Sequence, residues 1–138
     1  MSSNKKAMKK RDKIIYWIVT IWLCLGMVST AIIQLFRIRA GGPGTEKNLI
    51  HLGFPTYILT LLGIWKILGV IALLIPKFPL LKEWAYAGIF FTVTGALYAH
   101  IASGDTFTFI FPSLLYLLLI SVSWYFRPLD RKIILKQK

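Results

Sequence analysis

Polar and apolar positions in this chain are sorted into blocks rather than interleaved. The first apolar block runs from Ile14 to Phe36, 23 residues without a single charged side chain. As a helix it would span about 34 Å, enough for a hydrocarbon core of about 30 Å with some tilt. A second block, Tyr57 to Ile75, is interrupted only by Lys66. A third runs from Trp84 to Ala102 and a fourth from Phe107 to Phe126. Blocks of this length and uniformity predict transmembrane helices. A chain of 138 residues that is 57% hydrophobic could not bury so much apolar surface as a soluble domain, because small domains bury the smallest share of their chain.

The punctuation between blocks supports the same division. Ala40-Gly41-Gly42-Pro43-Gly44 opposes helix continuation and marks an irregular loop. Thr45 to Leu52 reads as a short interfacial helix, with Thr45 as its N-cap and Glu46 at the positive end of the dipole. Gly53-Phe54-Pro55 breaks that piece. Pro76-Lys77-Phe78-Pro79 ends the second span, Ser103-Gly104-Asp105 forms a tight turn, and Arg127-Pro128 closes the fourth span. Pro112 implies that the fourth helix either starts near Ile110 or kinks there. The expected fold is all-α, a polytopic membrane protein with four transmembrane helices in an up-down bundle. One transmembrane domain, residues 14–126 (spans 14–36, 57–75, 84–102 and 107–126), is flanked by a basic segment 1–13 and a basic tail 127–138.

A net charge of +12 raises nucleic acid as a partner, and its distribution answers the question. With an even number of spans, the N-terminal segment, the 76–83 loop and the tail share one side and carry 13 Lys and Arg. The other side carries three, Arg37, Arg39 and Lys47. The positive-inside rule then puts both termini in the cytoplasm, with Tyr16, Trp17, Trp84, Trp124 and Tyr125 as an aromatic belt there. Charge confined to span ends predicts contact with the lipid bilayer and anionic headgroups, and no groove-reading motif points to nucleic acid. The basic start and Ser29-Thr30-Ala31 resemble a signal peptide, but the first run exceeds the usual h-region and three spans follow, so it is read as an uncleaved span. Cys24 is the single cysteine and is expected to be buried packing; no disulfide within the chain, CxxC pair or thiolate cluster can be built from it.

Lys66 is the most informative residue. It stands near the middle of its span, where a lysine costs about 2.5–3.5 kcal/mol, against roughly 4–7 kcal/mol returned by the twelve Leu, Ile and Val around it. Flanked by Gly63 and Gly69, it is expected to face the bundle interior. It could be a proton-transfer group or a counter-charge for an anionic or quinone-like ligand, or a lysine that only snorkels or bonds carbonyls. Its candidate partners are Thr92, Thr94, Tyr116 and, further out, Tyr98. A second polar cluster should converge at the opposite membrane surface from the termini: Gln34, His51, Tyr98, His100 and Asp105. His100 with Asp105 could form an oriented imidazole. Two histidines and an aspartate also resemble a metal set, against the plainer reading that amphipathic side chains favour interfaces. No metal site is expected. Ala85, Gly88, Thr92, Gly95, Ala96, Ala99 and Ala102 form a small-residue stripe, expected to serve close helix packing rather than a binding groove.

Three blocks resemble the DoxX-like family of small four-helix membrane proteins: His51-Leu52-Gly53-Phe54-Pro55-Thr56-Tyr57-Ile58-Leu59 with Gly63-Ile64-Trp65-Lys66-Ile67-Leu68-Gly69; Ile75-Pro76-Lys77-Phe78-Pro79 through Gly88; and Gly95-Ala96-Leu97-Tyr98-Ala99-His100 with Gly104-Asp105. The resemblance covers roughly Tyr16 to Phe126. It implies a bacterial plasma membrane, and association with quinol oxidase, thiosulfate–quinone or other membrane oxidoreductase subunits. It carries no catalytic residue to a position in this chain. The leading expectation is an accessory subunit of a membrane redox or quinone-linked complex, not a self-sufficient enzyme. The alternatives are a small transporter or ligand-binding bundle using Lys66, and a structural membrane partner without chemistry.

Overall fold

The apolar blocks become helices in a computed structural model that describes residues 7–38 and 44–134. Helix α1 is Lys10–Leu35, α2 Glu46–His51, α3 Ile58–Leu74, α4 Pro79–Ala102 and α5 Phe107–Tyr125, followed by a 3-10 turn at Leu129–Arg131. Three of these, α1, α4 and α5, are long and apolar enough to cross a membrane, and α3 is a shorter apolar helix of 17 residues. The protein is a four-helix membrane bundle. Helix α1 packs on α3 and α5, and α4 packs on the same two, closing a ring of four. Lys5, Lys6, Arg39, Lys136 and Lys138, which enter the charge count, and the loop 40–43 lie outside the described residues.

The shared core is apolar: Leu23, Met27, Val70, Leu73, Ile89, Val93 and Ile120 meet around Tyr86 and the buried Cys24. Large apolar side chains such as Trp22, Leu25, Trp65, Phe91 and Leu118 stay exposed on the outside of the bundle, as lipid-facing residues must. Within this core, polar groups pair across helices. Ser123 on α5 lies 2.7 Å from Thr20 on α1 and 2.7 Å from the Tyr86 hydroxyl on α4, so one serine joins three helices away from water.

The short interfacial helix forms as its cap chemistry predicts: the Thr45 side chain accepts from the Asn48 N–H at 3.4 Å. Helix α4 begins at Pro79, five residues before the apolar block, since proline suits a first helical turn. The reversal before it is tight, with Lys77 (φ 64°) and Phe78 (φ 51°) both left-handed. Helix α5 runs through Pro112 from a start at Phe107.

The end of α3 explains several basic residues. The last carbonyls of a helix lack intrahelical donors, and Pro76 and Pro79 have no N–H to offer. Fully buried Lys82 donates instead to Ala72 O (2.8 Å), Leu73 O (3.3 Å) and Ile75 O. Arg131 donates to Leu73 O (2.8 Å) and Leu74 O (3.3 Å), and lies over the Trp17 ring. Two cations therefore close four orphan carbonyls and offset the negative end of the dipole. Arg127 pairs with Glu83 at 2.6 Å and stacks on Tyr86, while Trp124 donates to Glu83 at 2.9 Å.

Two charge-based expectations are corrected here. Tyr16 is buried and accepts from Arg131 at 3.5 Å, so it is not part of an aromatic belt. Lys82, Arg127 and Arg131 are buried helix-end and interhelix groups, withdrawn from any contact with headgroups.

Candidate functional site

Small residues on α4 shape the site. Gly88 and Gly95 have nothing within 4 Å of where a Cβ would stand. Together with Ala85, Thr92 and Ala96 they floor a cavity of about 790 Å³ along the junction of α3 and α4. The stripe expected to bring helices together instead borders a groove, because Gly88 and Gly95 present no side chain to fill the space beside them. Close glycine packing occurs on α3: a Cβ at Gly63 would come 2.7 Å from Leu35 on α1. A Cβ at Gly69 would stand in ordinary contact with Ile89, 3.5 Å away.

Trp65 and Leu68 from α3, and Trp84 and Phe91 from α4, line the cavity while exposed on the outside of the bundle. Its mouth therefore opens sideways, toward lipid. The walls are apolar apart from a few groups, and among the described residues Lys66 is the one Lys or Arg that lines them.

Lys66 faces this space and not the lipid alone. Its ammonium donates to the Thr30 hydroxyl on α1 at 3.1 Å, and Thr30 lies 3.1 Å from both the Gly26 and Met27 carbonyls. An ammonium has three N–H donors, and among the described residues Thr30 takes one of them. The partners expected from the sequence do different things. Thr92 and Thr94 bond carbonyls of their own helix at 2.8 Å and 3.0 Å. Tyr116 lines the cavity but lays its hydroxyl over Gly26, where a Cβ would collide with it.

At the end of the bundle that carries α2, three predicted residues meet. Asp105, in the α4–α5 turn, receives His100 Nδ1 on Oδ2 and His51 Nε2 on Oδ1, each at 2.6 Å. Those two hydrogen bonds, the His100 bond first, hold the Asp105 carboxyl below the usual carboxylate range. His100 is buried, stacks on Phe109 and lines the cavity; His51 is exposed. Gln34 also lines the cavity, at 2% exposure, and its Oε1 has no partner among the described residues.

The structure thus brings Lys66, Thr92, Tyr116, Gln34 and His100 to one cavity, with Asp105 and His51 behind His100. Tyr98 is apart from them, 74% exposed and outside the lining. Thr30 is the residue the sequence reading missed; a hydroxyl one span away from a midplane lysine is its only signal. Among the described residues no group of three or more His, Cys, Asp or Glu could hold a metal ion.

Comparison with known proteins returns no curated relative and no solved structure. Residues 18–123, well over half of the chain and all of the cavity, match the sequence model of the DoxX-like family, and the protein belongs to that family.

Proposed function

We propose that this protein is an accessory subunit of a membrane redox complex whose cavity holds a lipophilic, quinone-like molecule taken from the bilayer. The observation that carries the reading is a lipid-open apolar cavity with a lysine inside it. Apolar walls suit a ring and an isoprenoid chain, and a volume near 790 Å³ falls within the range of about 300–1,000 Å³ usual for small-ligand sites. The Lys66 ammonium can donate to a carbonyl oxygen in surroundings where such a bond is strong. A lysine at this depth is costly, which favours a use for it. The single buried Cys24 offers no dithiol chemistry, so electrons would move to and from a partner subunit in this reading. Both termini are placed in the cytoplasm of a bacterial plasma membrane, with the remaining basic residues near anionic headgroups.

Binding tests this directly. In lipid nanodiscs, titration with a short-chain naphthoquinone should quench tryptophan fluorescence saturably, because Trp65 and Trp84 line the mouth. Lys66→Met should fold normally and weaken that binding about tenfold, the worth of one good hydrogen bond. Unsaturable partitioning, or equal binding by the variant, would refute the reading.

A further inference from the structure

We infer that the α2 end of the cavity reads a hydroxyl group, with His100 Nε2 and the Gln34 amide oxygen as acceptors and Asp105 as the residue that positions His100. The site would therefore hold a hydroquinone in preference to the oxidised quinone. This rests on the cavity being a ligand site.

The tautomer of His100 follows from its partner. An ionised carboxylate only accepts hydrogen bonds, so the His100 Nδ1 that lies 2.6 Å from Asp105 carries the proton. In a neutral imidazole the other nitrogen is then a bare acceptor. Asp105 cannot easily turn away, because His51 holds its second oxygen at 2.6 Å. The ring plane is fixed by Phe109, stacked at 24° with centroids 6.1 Å apart. His100 is buried and lines the cavity.

Gln34 provides the independent observation. It is the end residue but one of α1, it lines the same cavity, and its amide oxygen is sealed from solvent without a partner among the described residues. Buried polar atoms in folded proteins are paired almost without exception, so an orphan acceptor on a cavity wall calls for a donor from the occupant. The α2 end then offers two acceptors, His100 Nε2 and Gln34 Oε1, with the Lys66 ammonium as a charged donor further along the cavity. A quinone offers only acceptors, so it can meet Lys66 but leaves His100 Nε2 and Gln34 Oε1 unpaired. A hydroquinone offers an O–H to His100 or Gln34 and still presents an oxygen to Lys66.

The experiment compares three probes on the intact protein in nanodiscs at about pH 8: a short-chain naphthohydroquinone kept reduced under nitrogen, its dimethyl ether, and the parent naphthoquinone. The wild type should bind the hydroquinone about tenfold more tightly than the ether or the quinone. His100→Phe should abolish that preference while retaining quinone binding, and Gln34→Leu should reduce it without touching the histidine cluster. Asp105→Asn should shrink the ratio with His100 still present, since nothing then fixes the proton on Nδ1; a purely structural Asp105 would lower all three affinities together. Equal binding of the three probes by wild type overturns the inference and leaves the cavity reading standing. Saturable binding of none overturns both.

Discussion

Replacing Lys82 by methionine removes the ammonium that closes the end of α3 while keeping most of the side-chain volume. Leu73 retains its bond from Arg131, so the loss falls on Ala72 O and Ile75 O, which then have no donor. An orphaned buried carbonyl costs about 1–3 kcal/mol. Ala72 is buried and bears that cost in full, whereas Ile75 is only half-buried and regains part of its loss from water or headgroups. Loss of a cation at a helix C-terminus adds about 0.3–1 kcal/mol. Methionine in turn escapes the cost of burying a charge. The net expectation is a destabilisation of about 2–3 kcal/mol, or a fall of about 10 °C in the thermal midpoint for a chain of this size. Lys82→Arg, which keeps charge and donors, should recover at least half of the fall. The assay is thermal unfolding in mild detergent, followed by intrinsic fluorescence. A Lys82→Met protein melting within about 2 °C of wild type would show that burial cost cancels the carbonyl bonds, and the reasoning about α3 would fail.

The other predictions concern the glycines, the histidine cluster and the topology. Gly63→Ala should destabilise by about 1–3 kcal/mol by forcing α1 from α3, whereas Gly88→Ala and Gly95→Ala should be neutral or stabilise by up to about 1 kcal/mol in the same melting assay. Gly95→Phe should fold and lose naphthoquinone binding, since it fills the cavity floor. The folded-state pKa of Asp105 is depressed, so its contribution is complete above the ordinary aspartate pKa of about 4 and is lost as pH falls below that value toward the folded pKa. Melting curves of wild type and Asp105→Asn should accordingly run parallel above about pH 5 and converge in stronger acid; a constant separation throughout would contradict the hydrogen-bonded Asp105 geometry. Topology reporters fused after Gly104 should report the outside and those after Lys77 the cytoplasm; the reverse pattern would overturn the orientation.

The spans were legible because lipid demands uncharged runs, and nothing else in a short chain produces them. Boundaries slipped where a charged helical turn extends beyond the apolar block: α4 begins at Pro79, and α1 starts at Lys10 within the basic segment. The meeting of His51, His100 and Asp105 was legible from topology, since each closes or opens a span on the same side. What the sequence hid depends on which way a face turns. Gly88 and Gly95 have the spacing of a packing stripe, and only the position of α3 decides that they border a space. Lys82, Arg127 and Arg131 count as topology signals in a linear reading, but proline-terminated α3 draws Lys82 and Arg131 inward and Glu83 holds Arg127. Thr30 is silent in sequence because its role is set by the reach of a lysine from a neighbouring helix.

The central claim is that the space between α3 and α4 takes a lipophilic ligand from the bilayer with Lys66 beside it. Photolabelling with a diazirine-bearing naphthoquinone in nanodiscs, followed by peptide mass spectrometry, tests it most directly. The account predicts adducts concentrated on Trp65, Gly69, Thr92 and Gly95, suppressed by excess unlabelled naphthoquinone and by Gly95→Phe. Adducts spread over the outward side chains of α1, such as Trp22 and Leu25, and unaffected by competitor, would contradict it.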